Sequence, residues 1–153
     1  MPDSLSIRGL DEMEHNGSWT LVRRSLGLKS FGVNVVEIAP GDSIPEHDET
    51  GRDQEELFMA LDGDVVLVVD GEDHALRESA FARLDPTPRR TVRNDGEAPV
   101  RVLIASAPTN SGYAPMEWAC SKSCLWPRPL SEVEPEARRE NPFSPGGGAP
   151  GRW

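Results

Sequence analysis

Four residues in the middle of the chain have side chains that could bind a metal ion or move a proton: His47, Glu49, Glu56 and Arg90. One imidazole and two carboxylates are acceptable ligands for a first-row divalent ion, so His47, Glu49 and Glu56 are candidate metal ligands. His47 and Glu56 could instead shuttle protons to and from a bound substrate without a metal. Arg90 opposes a metal, because its guanidinium stays protonated and cannot coordinate a cation. We therefore take His47, Glu56 and Arg90 as candidate catalytic residues.

Each of these residues also has a simpler interpretation. His47 could be a loop histidine bonded only to its neighbours, and Glu49 could be a solvated side chain within an acidic stretch. Glu55 is an alternative to Glu56 as the residue that points inward. Arg90 lies among other arginines and could form charge pairs at the surface. The choice between these interpretations depends on where each side chain points.

Short apolar segments separated by turn sequences surround the candidate residues. The sequence Asp-Gly between apolar runs is typical of tight hairpins. Strands at this spacing, with no convincing helix between them, predict an all-β antiparallel sandwich or barrel. The predicted strands are Trp19–Leu26, Phe31–Ile38, Glu56–Leu61, Val65–Val69, His74–Leu76, Phe81–Leu84, Arg90–Asn94 and Val100–Ala105.

Strand alternation groups the polar candidates with apolar residues. If Glu56 points into the barrel, Phe58 follows on the same face, and if Arg90 points inward, so does Val92. Each strand then places one polar group at the mouth of an apolar interior. Because a concave apolar pocket with a few polar groups is the usual form of a small-molecule site, we predict a pocket lined by Phe58, Arg90 and Val92 together with His47 and Glu56.

The first group of candidates resembles a motif of the cupin family, which has the form G-x5-H-x-H-x3-4-E-x6-G. In this chain five residues separate Gly41 from His47, and Glu49 stands in place of the second histidine. Glu56 follows after a longer gap than the motif allows, and Gly63 closes the motif with six residues between it and Glu56.

The second cupin motif, G-x5-P-x-G-x2-H-x3-N, is matched less completely. The segment 85–94 keeps the proline and ends on Asn94, and Arg90 stands four residues before it, where the family has its last histidine ligand. The resemblance therefore implies that Arg90 does electrostatically what a metal does in relatives, holding the carboxylates together.

The resemblance covers residues 31–107 and implies a double-stranded β-helix of the cupin type, that is, a jelly-roll barrel. It also implies one divalent transition metal, of the kind Fe, Ni, Mn or Zn, on His47, Glu49 and Glu56, which Arg90 opposes. Cupins include enzymes, storage proteins and ligand sensors, so fold does not fix activity. We predict binding of a small molecule inside the barrel. The alternative is a metal-dependent or acid/base enzyme, of isomerase or oxygenase type, acting on a small polar metabolite.

The charge of the chain limits its partners. Acidic residues outnumber basic ones by 26 to 16, which gives a net charge of −10. A chain this acidic is repelled by nucleic-acid phosphates and by anionic lipid surfaces, so neither is an expected partner. No stretch approaches the roughly 20 apolar residues of a membrane span. We expect a cytoplasmic protein that binds a small-molecule ligand.

The chain divides into four predicted regions. Residues 1–30 form N-terminal strands, 31–107 the barrel, 108–133 an extended C-terminal strap that docks on it, and 134–153 a flexible tail rich in proline and glycine.

Cys120 and Cys124 are expected to be free thiols without zinc, because no further ligands accompany them. The segments Leu57–Leu61 and Val65–Val69 are apolar on both faces, which predicts a homodimer that buries an outer face. Packing of the chain's own terminal segments over the sheet is the alternative.

Overall fold

The structure is a computed structural model that describes residues 4–115. Residues 4–111 belong to one compact unit. Most of the predicted strap, the predicted tail and both cysteines lie outside the described residues. Within them, no helix has the length and hydrophobicity needed to cross a bilayer.

Two antiparallel sheets form the fold. The large sheet has the strand order β1-β2-β3-β9-β4-β7, and the small sheet has the order β6-β5-β8. The strands are β1 His15–Asn16, β2 Trp19–Thr20, β3 Gly32–Ile38, β4 Gln54–Ala60, β5 Val65–Val69, β6 Glu72–Leu76, β7 Phe81–Leu84, β8 Arg90–Arg93 and β9 Val100–Pro108. The helices are a 3-10 turn at Leu10–Glu12 and α1 at Val22–Leu26. The prediction of an all-β jelly-roll barrel is thus confirmed.

Local turn chemistry sets the hairpin between β5 and β6. Val69 pairs with Glu72, so the turn consists of Asp70 and Gly71 alone. Both residues have positive φ, 50° and 84°, as the two-residue turn that matches strand twist requires. Glycine adopts this conformation without strain, and aspartate is among the few other residues that tolerate it.

The core lies between the two sheets, where their inward-facing side chains meet. In β4, buried and more exposed residues alternate, and Phe58 has no exposed surface while its neighbour Leu57 faces outward. In β8, Val92 is likewise fully buried. The alternation predicted for these two strands is therefore confirmed.

A segment without regular strand assignment extends the small sheet beyond β8. The backbone N–H of His47 donates to the carbonyl of Arg90 (3.0 Å), and the N–H of Arg90 donates to the carbonyl of His47 (2.8 Å). Further along, the N–H of Ile44 donates to the carbonyl of Val92 (3.0 Å). This pairing fixes His47 directly beside Arg90.

Asn94, the last residue of the second motif, anchors the turn that follows β8. Its side-chain amide is fully buried and donates to the carbonyls of Ile38 and Ala98, both at 2.8 Å. Its amide oxygen accepts from the N–H of Gly96 (2.9 Å). These bonds satisfy backbone carbonyls that strand pairing leaves free.

The prediction of a strand over Trp19–Leu26 is wrong beyond Thr20. Val22–Leu26 is a helical turn instead, and it ends at Gly27, which has left-handed φ of 71°. Val22 and Leu26 are four residues apart, so one helical face places both half-buried against β3. An apolar pair at this spacing suits a helix, and the glycine stops it.

We expect the chain to form a homodimer through the outer face of β4, β7 and β9. Leu57 and Phe81 are 37% and 62% exposed there, and β7 is the edge strand of the large sheet. Exposed apolar surface and an unpaired strand edge favour association.

Light scattering at micromolar concentration should give twice the chain mass, and Phe81→Lys should give a monomer. Ile7→Lys, a matched change at another exposed apolar residue, should leave the dimer intact; a monomeric parent would refute this interface.

Candidate functional site

A buried ion pair joins the two sheets at the site. Glu56 comes from β4 in the large sheet and Arg90 from β8 in the small sheet, and both side chains point inward. Arg90 Nε lies 3.1 Å from Glu56 Oε2, with side-chain exposures of 0% and 6%. At this distance the attraction is about 5 kcal/mol for an effective dielectric near 20. The position of Glu56 and Arg90 inside the barrel agrees with the sequence prediction.

The rest of the Arg90 guanidinium is held by backbone carbonyls. Nη1 donates to the carbonyls of Pro86 (3.1 Å) and Pro88 (2.7 Å), and Nη2 donates to the carbonyl of Asp85 (2.7 Å). Two of these three residues are prolines, which offer no N–H, so the loop is rich in acceptors. Arg90 therefore fixes the loop between β7 and β8 as well as Glu56.

The contact between Arg90 and Glu56 is electrostatic and is not a well-aligned hydrogen bond. Although the two atoms are 3.1 Å apart, neither Arg90 Nε nor Glu56 Oε2 has a hydrogen-bond partner within the described part of the chain. A buried carboxylate oxygen without a hydrogen bond is costly and rare. Glu56 Oε2 is closed to solvent, so the charge of Arg90 is what offsets the cost of its burial.

His47 lies on the other side of the same carboxylate. Its Nδ1 is 2.9 Å from the carbonyl oxygen of Pro45, which can only accept, so Nδ1 carries a proton. Its Nε2 is 3.4 Å from Glu56 Oε2, an ion-pair distance and longer than a normal hydrogen bond. The Glu56 carboxylate raises the pKa of His47 above its ordinary value, and partial burial only offsets part of this effect.

Glu49 completes a cluster with His47 and Glu56. One ligand-type atom from each of the three residues lies within 4.8 Å of the others. The backbone N–H of Glu49 donates to the carbonyl of Pro86 (2.9 Å), which ties this residue to the loop that Arg90 holds. Glu49 is half-buried and belongs to the site, so the simpler interpretation of a fully solvated acidic stretch does not hold for it.

The cluster opens into a cavity of about 230 Å³, which we call the site cavity. Its wall contains His47, Glu49 and Glu56 together with Trp19, Gly32, Val33, Asn34, Arg52, Ile104 and Ser106. The predicted pocket residues Phe58, Arg90 and Val92 do not line this cavity. All three are fully buried, Phe58 and Val92 in the hydrophobic core and Arg90 beside Glu56. Side chains from both sheets fill the barrel below Glu56, which confines the open space to the mouth.

A larger cavity, of about 350 Å³, opens on the outer face near Phe31, Leu57 and Ala105. Glu55, Glu56 and Arg83 also line it, but Arg83 is paired with Glu55 at 3.1 Å, whereas His47, Glu49 and Glu56 come together in the wall of the site cavity. The apolar residues of the larger cavity lie on the proposed dimer face. We therefore assign the candidate site to the smaller cavity.

The neighbouring charged residues form surface pairs. Arg83 lies 3.1 Å from Glu55, and Arg89 lies 2.9 Å from Glu46. Glu55 is therefore directed outward, and the alternative in which it replaces Glu56 in the interior does not hold. Among these arginines, Arg90 is the one that is fully buried.

The residues present do not fit the tightly bound four-ligand ion that the resemblance implies. His47, Glu49 and Glu56 have suitable atoms, but Arg90 stands where a fourth ligand would be and contacts Glu56 Oε2 itself. A cation bonded to that oxygen at about 2.1 Å would lie within about 5 Å of Arg90 Nε. At an effective dielectric near 20, a divalent ion there is repelled by about 7 kcal/mol.

Several wall residues were not found by the sequence analysis, namely Trp19, Asn34, Arg52 and Ser106. Ser106 faces the cavity because it pairs directly with Glu56 across β4 and β9. Its position depends on register between strands about fifty residues apart. The only local signal was the alternation within β9, which does not say which face is inside.

Comparison with known proteins gives consistent results. Residues 34–106 match the family model described as Cupin domain. The tetracenomycin polyketide synthase protein TcmJ of Streptomyces glaucescens is 28% identical over 88 residues, and the match covers 58% of each chain. The chain thus spans little more than half the length of this relative.

Two solved structures are similar to the fold. A cupin protein from Bacteroides fragilis is 20% identical, with a TM-score of 0.59 over 72% of this chain and 93% of that one. A protein from Silicibacter pomeroyi described as a sugar phosphate isomerase from a cupin superfamily is 25% identical, with a TM-score of 0.52 over 61% of each chain. The first similarity concerns the fold alone.

Replacing Arg90 should destabilise the protein far more than replacing its neighbour. In Arg90→Leu, Glu56 loses its charge partner in a buried position and three carbonyls lose the hydrogen bond from the guanidinium, so we expect a loss of about 3–5 kcal/mol. Arg89→Leu removes an exposed ion pair and should cost at most about 1 kcal/mol. Urea unfolding of both variants measures the difference. Equal losses would show that the buried pair has no special role.

Proposed function

Because this chain belongs to the cupin superfamily, with its cupin domain over residues 34–106, we propose that it binds a small polar molecule in the site cavity. The observation that carries this proposal is the cluster of His47, Glu49 and Glu56 in the wall of an open cavity. An imidazole and two carboxylates that converge on one cavity can form hydrogen bonds with a polar molecule inside it.

The size and polarity of the site cavity support a small ligand. Its volume of about 230 Å³ is below the range of roughly 300–1,000 Å³ that holds drug-sized molecules. Its wall combines one aromatic ring, Trp19, with several hydrogen-bonding side chains. A single-ring polar molecule matches both properties.

The named relatives agree with a small-molecule role without fixing the ligand. One is a polyketide synthase protein and another is described as a sugar phosphate isomerase. These names refer to different chemistry on related folds, so they support the class of ligand only. The specific molecule for this chain must follow from its own residues.

A second candidate is an acid/base enzyme of isomerase type that uses the same cavity. His47 and Glu56 both line the cavity, and Nε2 of His47 lies 3.4 Å from Oε2 of Glu56, so the two side chains are close enough to contact one bound substrate. In this candidate, Glu56 accepts a proton from the substrate and protonated His47 returns one. Arg90 keeps Glu56 in place during the transfer through their ion pair.

Filling the site cavity should abolish ligand binding. Ser106 faces the cavity opposite Glu56, and Ala107, the next residue of β9, faces outward opposite Glu55. A library of small polar fragments, tested by ligand-observed NMR, should yield binders to the parent. Ser106→Phe should lose them because the ring occupies the cavity, and Ala107→Phe should keep them. Fragments that bind all three proteins equally, or a library without binders, would contradict the proposed site.

A further inference from the structure

We propose that the ligand of the site cavity carries an oxyanion group, a carboxylate or a phosphate, which accepts hydrogen bonds from Arg52, Asn34 and Ser106. This inference rests on the proposed function and specifies the ligand class. It follows from three observations: which donors in the wall lack partners, how these donors are held, and where the opposing charges lie.

Three side chains in the cavity wall have hydrogen-bond donors that are not used within residues 4–115. They are the guanidinium of Arg52, the amide of Asn34 and the hydroxyl of Ser106, and none of these groups forms a hydrogen bond or ion pair with another described residue. Asn34 and Ser106 are half-buried, and polar side chains enclosed by a fold normally have hydrogen-bond partners. Since a guanidinium can only donate, the matching group on a ligand is an acceptor.

Gly32 leaves room for the hydroxyl of Ser106. The two residues pair across β3 and β9, and both belong to the cavity wall. A Cβ atom at position 32 would lie 2.7 Å from Ser106 Oγ, which is too close for a real contact. Any larger residue at this position would therefore turn the hydroxyl away from its place in the wall.

The turn that carries Arg52 is tied to the strand that carries Ser106. The backbone N–H of Arg52 donates to the carbonyl of Glu49 (3.1 Å), which closes the turn. The N–H of Thr109 donates to the carbonyl of Asp53 (2.9 Å), and the Thr109 hydroxyl donates to Asp53 Oδ2 (2.6 Å). Thr109 directly follows β9, so these bonds fix the backbone of Arg52 relative to Ser106. Donors held in this way bind a ligand with less loss of conformational freedom.

The charges of the wall favour an anion at Arg52. Glu56 faces the buried guanidinium of Arg90 at 3.1 Å, which offsets its negative charge. Glu49 and Arg52 lie on one turn, yet within the described part of the chain neither side chain forms an ion pair. The positive charge of Arg52 is thus free for a ligand, and a guanidinium binds a carboxylate or phosphate through two parallel hydrogen bonds.

The net charge of −10 does not oppose this local preference strongly. At physiological salt, charges more than about 8 Å apart are largely screened from each other. The charge that acts most directly on the anion is therefore that of Glu49, which repels it from the other side of the turn.

Probes of similar shape but different charge test the inference. Benzoate, phenylphosphonate and benzamide carry a planar anion, a tetrahedral anion and a neutral amide on the same aromatic ring. Cyclohexanecarboxylate and its amide repeat the comparison on a saturated ring. Each probe is titrated by NMR into the full-length, tag-free protein at neutral pH in the presence of EDTA. At least one anion should bind about fivefold more tightly than the amide on the same ring. Comparing benzoate with phenylphosphonate then distinguishes a carboxylate ligand from a phosphate ligand.

Two variants and a control connect this preference to the charges of the turn. Arg52→Gln removes the guanidinium and should reduce the preference for the anion to less than about twofold. Glu49→Gln removes the repelling charge and should strengthen anion binding. Arg77→Gln is the control: Arg77 is exposed, has no ion pair among the described residues and lies outside the cavity wall, so the preference should persist.

The outcomes separate this inference from the proposed function. If amides bind as tightly as the anions and all are lost in Ser106→Phe, the ligand class is wrong and the cavity remains a binding site. An anion preference that persists in Arg52→Gln, or that falls equally in Arg77→Gln, would also overturn the inference. Anion binding that appears only when a divalent metal replaces EDTA would show that a metal, and not Arg52, binds the oxyanion.

Discussion

The buried contact between Arg90 and Glu56 is the interaction on which the site depends. It joins β8 of the small sheet to β4 of the large sheet at the mouth of the barrel. The Arg90 guanidinium also donates hydrogen bonds to carbonyls of the loop that contacts Glu49. Its partner Glu56 lies in turn 3.4 Å from His47. An uncompensated carboxylate at this depth would be unfavourable, so the arrangement of the other groups follows from this pair.

The same pair places a positive charge of the protein itself beside a cluster of the metal-binding type. The imidazole and the two carboxylates place electron-rich atoms close together. A positive charge nearby offsets their mutual repulsion. Arg90 supplies that charge from the position that the family gives to a histidine ligand. Although Arg90 Nε and Glu56 Oε2 do not form a hydrogen bond, this oxygen is closed to solvent, so the pair stabilises the site through its charges.

Much of the fold could be predicted from the sequence, because its signals are local. Alternation grouped Glu56 with Phe58 and Arg90 with Val92 on common faces, and the Asp70-Gly71 turn defined a hairpin. The short helix at Val22–Leu26 was taken for a strand because its apolar residues suit either structure. The cavity wall could not be predicted, since Trp19 and Ser106 reach it through long-range strand register. The role of the proline-rich loop as acceptor for Arg90 also depends on tertiary contacts.

The central claim is that Arg90 replaces a metal ion as the positive charge of the site. Calorimetric titration of tag-free protein with nickel, manganese and zinc tests it most directly, with parent and Arg90→His measured side by side. We predict that the parent binds none of these ions more tightly than about 10 μM, because the fixed guanidinium repels them. Arg90→His removes that charge and adds an imidazole, so it should bind at least one ion more tightly than the parent. One tightly bound ion per parent chain, with no gain in Arg90→His, would contradict the claim.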